Sequence, residues 1–151
     1  MGEHFRAYSA VFPLILKESA KGTEILLHRR QNTGYQDGKW DIAASGHVDE
    51  GETAKAALVR ECAEELGIRV HINDVEFVHL SHRLSWDRTY YDIYFVVSKY
   101  EGEPMILEPD KCSELKWFDI NSLPDVIIEC RKTAIEAYLD KNYYGEIIEK
   151  N

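Results

Sequence analysis

Three glutamates, Glu61, Glu64 and Glu65, fall within five consecutive positions of a segment whose other residues favour a helix. Positions i, i+3 and i+4 lie on one face of a helix, so this spacing places three like charges side by side. Such a face is destabilised by repulsion unless a cation lies against it. Hard cations such as Mg²⁺ take carboxylate oxygens together with substrate phosphates. The spacing therefore predicts a helix that serves as a metal platform for phosphate chemistry.

The pattern around these glutamates predicts a helix over residues 53–66. Thr53 is suited to the N-cap, where its hydroxyl can accept a bond from a free backbone amide. Gly67 is suited to the position just after the helix, which favours left-handed backbone. The apolar arc expected to pack on a core comprises Leu58, Val59, Cys62, Ala63 and Leu66.

The rest of the chain predicts an α/β fold with a mixed β-sheet between helices. Apolar and β-branched runs predict strands over residues 8–17, 24–30, 40–44, 70–83, 89–100 and 114–118. Pro13 interrupts the first run and indicates an edge or a bulge there. A second helix is predicted to begin at Leu123-Pro124 and to end near residue 140. Strands followed by a helix, then strands and a second helix, favour a sheet covered on both faces.

Length and charge narrow the class of protein. A chain of 151 residues suits one compact domain over residues 1–151. The net charge of −9 argues against a nucleic-acid polymer as partner, because phosphate backbones attract basic surfaces. It remains compatible with a small nucleotide held through cations. We expect a monomer or a homodimer.

The cysteines and the apolar runs indicate the cellular compartment of the protein. Cys62, Cys112 and Cys130 are odd in number and widely spaced, so they fit neither a disulfide framework nor a zinc site. No signal peptide and no membrane-spanning run is apparent. These features predict a cytoplasmic protein without a membrane partner.

The segment from Gly46 to Ile68 resembles the Nudix box of the Nudix hydrolase superfamily. Gly46 and Glu52 are followed at the family's spacing by Arg60-Glu61-Cys62-x-Glu64-Glu65-x-Gly67-Ile68. Cys62 is a departure, since the family usually has a bulky aliphatic residue there. His47 is another, since many relatives have a second glycine. The resemblance implies the Nudix-type α/β/α sandwich and hydrolysis of a nucleoside diphosphate linked to another group, with Mg²⁺ or Mn²⁺ as cofactor.

The resemblance also implies roles for individual residues of the box. Glu64 is the first candidate for the general base, and Glu61 is close behind. Arg60 would position the carboxylates and pair with Glu52. A base from a later loop stays open, with candidates Glu108, Asp110 and Glu114. The implied metal ligands are the Gly46 carbonyl and the side chains of Glu61, Glu64 and Glu65.

Residues outside the box are candidates for holding the substrate. Arg29 and Arg30 end the second predicted strand, and a guanidinium can bind a phosphate through two hydrogen bonds, although a surface ion pair explains them equally well. Aromatic rings can stack on a base, although rings at strand spacing more often belong to a core. The aromatic candidates are Trp40, Trp86, Tyr90, Tyr91 and Trp117.

Two stretches outside the box, residues 29–40 and 108–124, are similar to the nucleoside triphosphate branch of the superfamily. This favours a nucleoside triphosphate, oxidised forms included, cut to a monophosphate and pyrophosphate. A second hypothesis is hydrolysis of ADP-ribose or another nucleotide sugar. A third is isopentenyl-diphosphate isomerisation, which needs a reactive cysteine. A fourth, of a different class, is a nucleotide-sensing or RNA-binding module, in which box carboxylates are usually lost.

Overall fold

A computed structural model of the chain describes residues 2–150. Within that range the chain forms eight strands, two α-helices and one short 3₁₀ helix. The strands are β1 (Tyr8–Ser19), β2 (Gly22–Arg30), β3 (Trp40–Ile42), β4 (Gly46–His47), β5 (Val75–Leu84), β6 (Thr89–Val97), β7 (Cys112–Asp119) and β8 (Tyr144–Ile148). The helices are α1 (Ala54–Leu66) and α2 (Glu129–Leu139), and the 3₁₀ helix is Ile72–Asp74.

Strand β1 is shared by two groups of strands. Its first part pairs in parallel with β6, which continues antiparallel to β5 and from there in parallel to β8. Its last part pairs antiparallel with β2, and β2 also carries β3 and β7. Strand β4 pairs with the beginning of β1 and so brings Gly46 beside Val11. The sheet is therefore mixed, as predicted.

Alternate residues of β1 point to opposite faces of the sheet, and each face is covered by one helix. Val11 and Ile15 pack in the cluster that contains the buried side chains of α1. Phe12 and Leu14 pack in the cluster that contains those of α2. The chain therefore has the predicted α/β/α sandwich. In residues 2–150, neither helix combines the length and the apolar composition that crossing a membrane requires.

Helix α1 has the predicted ends. Thr53 accepts a hydrogen bond from the Ala56 amide at 3.1 Å and forms the N-cap. Gly67 has a φ of 70° and donates its amide to the Ala63 carbonyl at 3.1 Å. These caps fix where the glutamates lie along the helix, because the first and last turns are both hydrogen-bonded.

Helix α2 begins at Glu129, and the predicted start at Leu123-Pro124 is wrong. The backbone just before the helix is extended and pairs with β3. The Trp40 amide donates to the Val126 carbonyl at 2.8 Å, and the Ile128 amide donates to the Trp40 carbonyl at 2.9 Å. Because these groups are already paired with a strand, they cannot take part in a first helical turn.

Strand β5 begins at Val75, later than predicted, because Ile72–Asp74 forms a 3₁₀ helix first. Strand β8 was not predicted at all. It is a short edge strand whose residues are mostly exposed, so the sequence lacks a clear apolar alternation there.

Pro13 lies inside β1 and not in an edge strand. On the side of β1 opposite β6, β4 pairs with Ala10 and Val11, and the pairing with β2 begins at Leu16. Pro13 falls in the interval between these two partners, where its missing amide hydrogen breaks no bond of the sheet.

Candidate active site

Arg60 and Glu52 form an ion pair within the box that is held by two hydrogen bonds. Arg60 Nε donates to Glu52 Oε2 at 2.8 Å, and Arg60 Nη2 donates to Glu52 Oε1 at 2.9 Å. Two parallel bonds of this kind combine charge with a fixed orientation. The hydrogen bonds from Arg60 lower the pKa of Glu52 to about 2. The structure thus brings together the two residues that the sequence analysis paired.

The same guanidinium contacts three more carboxylates and a carbonyl. Arg60 Nη1 donates to Glu61 Oε1 at 2.7 Å and lies 3.4 Å from Glu64 Oε2. Arg60 Nη2 lies 3.4 Å from Asp49 Oδ2 and donates to the His47 carbonyl at 3.1 Å. One guanidinium therefore contacts four carboxylates, so this surface carries an excess of negative charge.

Glu61 and Glu65 lie side by side on α1. Burial, followed by the hydrogen bond and the charge of Glu61, raises the pKa of Glu65 to about 9. Glu64 differs from both, since 59% of its side chain is exposed. Among residues 2–150, no three His, Cys, Asp or Glu side chains converge as a preformed metal cage.

Gly46 brings the backbone of β4 against Glu61. A Cβ atom at this position would lie 2.3 Å from both Cδ and Oε1 of Glu61, so only glycine permits the approach. A backbone next to a surplus of carboxylate oxygens is the donor chemistry that a hard divalent cation takes. The residues at this place therefore fit the cation that the box implies.

Beside this surface, a cleft of about 160 Å³ opens between the two groups of strands. Gly46 and His47 form its rim on the side of the box. Three arginines, from β2, β5 and α2, line it with aromatic and small residues. The lining residues are Ala10, Phe12, Arg30, Tyr35, Asp41, Ser45, Gly46, His47, Arg83, Tyr90 and Arg131.

Asp92 is fully buried and joins two of these arginines. Arg83 Nε and Nη2 donate to its two carboxylate oxygens at 2.6 and 3.2 Å. Arg131 Nη1 donates to Asp92 Oδ2 at 3.3 Å and to the Tyr94 hydroxyl at 3.1 Å. Strands β5 and β6 and helix α2 are thus held together by one carboxylate under the cleft.

Asp41 is the second buried carboxylate of the cluster. Arg131 Nε donates to its Oδ1 at 3.1 Å, and Arg30 Nη1 donates to its Oδ2 at 2.9 Å. Burial acts to raise the pKa of Asp41, but the charges of Arg131, His28 and Arg30 outweigh it and hold that pKa below the ordinary value. Asp41 is therefore ionised at neutral pH.

Glu149 completes the cluster from the segment after β8. It accepts a hydrogen bond from Arg83 Nη1 at 2.9 Å and from the Tyr35 hydroxyl at 3.3 Å. Burial raises the pKa of Tyr35 to about 12, so this hydroxyl keeps its proton. The cluster consequently balances three arginines with three carboxylates: Arg30, Arg83 and Arg131 with Asp41, Asp92 and Glu149.

The aromatic rings of the cleft are each covered by a guanidinium. The distances to the ring centres are 3.8 Å for Arg131 over Phe12, 4.2 Å for Arg83 over Tyr90 and 5.3 Å for Arg30 over Tyr35. At the rim, His47 stacks on Tyr8 at 5.3 Å and lies 5.8 Å from Tyr90. The cleft thus combines planar surfaces with positive charge.

Two of the proposed substrate contacts, Arg30 and Tyr90, line the cleft. Arg29, in contrast, pairs with Glu114 at 3.2 Å on the surface. Trp40 is 8% exposed and packs edge-on against Phe118 in the core. A ring packed in this way offers no free face to a base.

The remaining aromatic candidates lie outside the cleft. Trp86 is 67% exposed in the turn between β5 and β6. Tyr91 stacks on His82 at 4.5 Å, and Trp117 lies under the ammonium of Lys17 at 4.4 Å. The structure therefore gives Tyr91 and Trp117 contacts with other side chains and leaves Trp86 exposed, and none of the three lines the cleft.

Sequence reasoning missed Asp41, Arg83, Asp92 and Arg131. A signal existed for Asp41 and Asp92, because each is a charged residue between two apolar neighbours in a predicted strand. Such a charge has to be paired inside the protein. The partners come from separate elements, however, so the sequence alone does not identify which charge meets which.

Cys62 packs in the core with no exposed surface. Burial, with smaller contributions from Glu65 and Glu61, raises the pKa of its thiol to about 12. A thiol of this kind carries almost no thiolate at neutral pH and is a poor nucleophile.

Comparison with known proteins agrees with this geometry. The family model "NUDIX domain" matches residues 8–138. The NAD-capped RNA hydrolase NudC of Pseudomonas putida is 28% identical over 119 residues, which cover 79% of this chain. The chain spans only 40% of the length of that relative.

Two solved structures show the same fold. The MutT NUDIX hydrolase from Burkholderia pseudomallei superimposes with a TM-score of 0.76 at 24% identity, covering 87% of this chain and 98% of that one. The NUDIX domain of Shewanella oneidensis NrtR, solved as a complex with ADP ribose, gives 0.72 at 16% identity, covering 91% and 90%.

Proposed function

The chain belongs to the NUDIX domain family, and on that premise we propose that it hydrolyses a diphosphate bond in a nucleoside diphosphate linked to another group. Our first candidate substrate is a nucleoside triphosphate, cut to a monophosphate and pyrophosphate. One observation carries the proposal: Gly46 borders both the carboxylate surface and the arginine-lined cleft. A nucleotide held in the cleft would extend its phosphates directly towards the glutamates.

The chemistry follows from the charges of the two surfaces. The Gly46 carbonyl with Glu61, Glu64 and Glu65 would hold Mg²⁺ or Mn²⁺. Such an ion, when bound, offsets phosphate charge and makes water easier to deprotonate.

The side chains of the box carry out the remaining tasks. Arg60 holds Glu61 and Glu52 in place through its hydrogen bonds. Glu64 is exposed on the same face and takes a proton from the attacking water as general base. One phosphorus gains the hydroxyl group, and the other phosphate leaves with the oxygen of the bridge.

The cleft has the size of one part of a nucleotide. Pockets that enclose a whole drug-sized ligand measure about 300–1,000 Å³, and this cleft measures about 160 Å³. We therefore assign it to a base, with the sugar and the phosphates outside. Its guanidinia can donate hydrogen bonds to a base and stack on it through their planar faces.

A second candidate is a substrate with another ring beyond the diphosphate, such as a dinucleotide, or a nucleotide sugar such as ADP-ribose. The ring of Tyr8 favours it, because Tyr8 stacks on His47 at the rim and extends the aromatic surface beyond the cleft. The names of the relatives, which refer to NAD-capped RNA and to ADP ribose, point the same way.

Two other hypotheses have less support. A module without catalysis usually lacks box carboxylates, and all of them are present here. Isomerisation needs a reactive cysteine, whereas Cys62 is buried and its thiol pKa is about 12.

A substrate panel tests the proposal. The purified protein is incubated with nucleoside triphosphates, oxidised triphosphates, ADP-ribose, NAD, dinucleoside polyphosphates and NAD-capped RNA, each with Mg²⁺, Mn²⁺ or EDTA. Products are identified by mass after reaction in ¹⁸O water, which labels the phosphorus attacked. We expect cleavage only with a divalent cation. No cleavage of any member, or equal cleavage in EDTA, contradicts the proposal.

A further inference from the structure

Two buried side-chain atoms among residues 2–150 lack a hydrogen-bond partner: Nε2 of His28 and Oε2 of Glu65. His28 lies on β2, and Glu65 lies in the last turn of α1. Buried polar atoms of folded proteins almost always have a partner, and each exception calls for an explanation. Leaving such an atom unpaired is costly, so two of them in one place suggest a shared partner.

Both residues line the same small cavity. Its volume is about 20 Å³, and Glu108 and Lys111 contribute to its wall. A cavity needs roughly 10–15 Å³ to hold one water molecule, and the water needs two to four polar partners. This cavity has room for a single water beside two unpaired polar atoms.

The loop before β7 closes the cavity over the end of α1. The Met105 amide donates to the Leu66 carbonyl at 3.1 Å, and the Leu107 amide donates to the Glu65 carbonyl at 3.4 Å. These bonds hold the loop against the last helical turn. An occupant is therefore enclosed by β2, α1 and the loop.

We propose that one buried water molecule bridges His28 Nε2 and Glu65 Oε2, and that His28 is thereby a positioning residue for the cation surface. A cation fits this cavity poorly, because Mg²⁺ requires about six oxygen ligands and the cavity measures only about 20 Å³. A water can form hydrogen bonds with Oε2 of Glu65 and with the imidazole of His28 at the same time.

The water bridge would affect cation binding because Glu65 belongs to both the box and the cavity. It lies beside Glu61 in the box and also shares the cavity with His28. Side chains that hold a metal ligand in place typically change metal affinity by about 10–100-fold when they are removed. The effect on cation affinity rests on the proposed function, whereas the water site itself does not.

A crystal structure grown with Mn²⁺ tests the occupant directly. We expect an electron-density peak between His28 Nε2 and Glu65 Oε2 without anomalous signal from manganese. An anomalous peak at that position, or no density there, overturns the bridge.

Mn²⁺ titration followed by electron paramagnetic resonance tests the positioning role without requiring turnover. We expect His28→Leu to weaken Mn²⁺ binding by about 10–100-fold and His28→Gln, which keeps a hydrogen-bonding group, to recover most of it. Unchanged affinity in His28→Leu overturns the role, even if the variant is less stable.

His79→Leu is the matched control. His79 is also buried, but its ring nitrogens have their own partners, the Asn142 carbonyl at 2.6 Å and the Ser81 hydroxyl at 3.0 Å. We expect it to lose stability and to keep its Mn²⁺ affinity; an equal loss of affinity there would mean that any buried histidine has this effect, and overturns the specific role. If the unaltered protein binds no Mn²⁺, the proposed function fails, and the crystal still decides whether the water is present.

Discussion

The two charged regions of the molecule lie next to each other and are built in opposite ways. In the box, Arg60 is the one cation in contact with four carboxylates, and Glu65 adds a fifth beside Glu61. Under the cleft, three arginines meet three carboxylates, mostly out of contact with water. The difference separates a cluster whose charges are balanced within the protein from a surface whose surplus negative charge, in our proposal, is offset by a cation.

The largest effect is expected at the unbalanced surface. Glu64→Gln removes the proposed base, and general bases typically contribute about 10²–10⁴-fold to a rate. Stability should change little, because the side chain of Glu64 is mostly exposed. Steady-state turnover with Mg²⁺ and urea unfolding measure the two quantities.

Glu101→Gln is the control for that variant, since Glu101 is exposed and, within residues 2–150, its one ion pair is with Arg69 at 3.7 Å. It should leave turnover unchanged. A fully active Glu64→Gln enzyme would remove Glu64 from the mechanism and make Glu61 the next candidate.

Substitutions in the balanced cluster should lower the free energy of unfolding. Asp92→Asn leaves Arg83 and Arg131 buried with one countercharge fewer, and breaking a buried ion pair costs about 3–5 kcal/mol. Asp87→Asn provides the comparison, because Asp87 pairs with Arg88 on the surface and such pairs contribute about 0–1 kcal/mol. Urea denaturation gives both values; similar losses would show that burial of the cluster is not what stabilises it.

At the border of the two regions, Gly46→Ala should displace Glu61. The added Cβ would lie 2.3 Å from its carboxylate, so the side chain has to move away. We expect Mn²⁺ affinity to fall by about 10–100-fold, as for other disturbances of metal ligands. Gly145→Ala is the control, since its nearest neighbour would be 3.5 Å away; equal affinities in both variants would argue against the role of Gly46.

The smallest expected effect is on the pH dependence of stability. The folded protein lowers the pKa of Asp41 below its ordinary value of 3.8. The stability from this group is therefore present above that value and is lost as the pH falls through the lower, folded pKa. Asp41→Asn should be less stable at pH 7 and should show a shallower loss as the pH falls below 3.8. Parallel curves for the two proteins, measured by urea unfolding, would exclude Asp41 as a cause of acid unfolding.

Local patterns sufficed to predict α1, its two caps and the mixed sheet between two helices. Thr53, Gly67 and the buried Leu58, Cys62 and Leu66 act within one helix, so their spacing carries the information. The predicted arc was wrong at Ala63, which is exposed, whereas Ala57 is buried. The start of α2 depends on pairing between Trp40 and Val126–Ile128, which are far apart in the chain. No local rule contains that contact.

The candidate site divides in the same way. The pairing of Arg60 with Glu52 could be predicted, because both belong to one short motif. The cleft could not, since Arg83, Asp92 and Arg131 come from three elements and meet only in the folded chain. A search for isolated charges within apolar runs would have found Asp92, between Tyr91 and Ile93, but not its partners.

The absence of a side chain at residue 46 has a consequence for protein engineering. A side chain at this position would displace Glu61 from its place beside the backbone, so residue 46 is a poor choice for variation to suit a new ligand. Libraries aimed at altered selectivity should therefore randomise Tyr35 and Tyr90 in the cleft and keep Gly46 constant. Recognition can then be redesigned while the residues proposed for hydrolysis stay as they are.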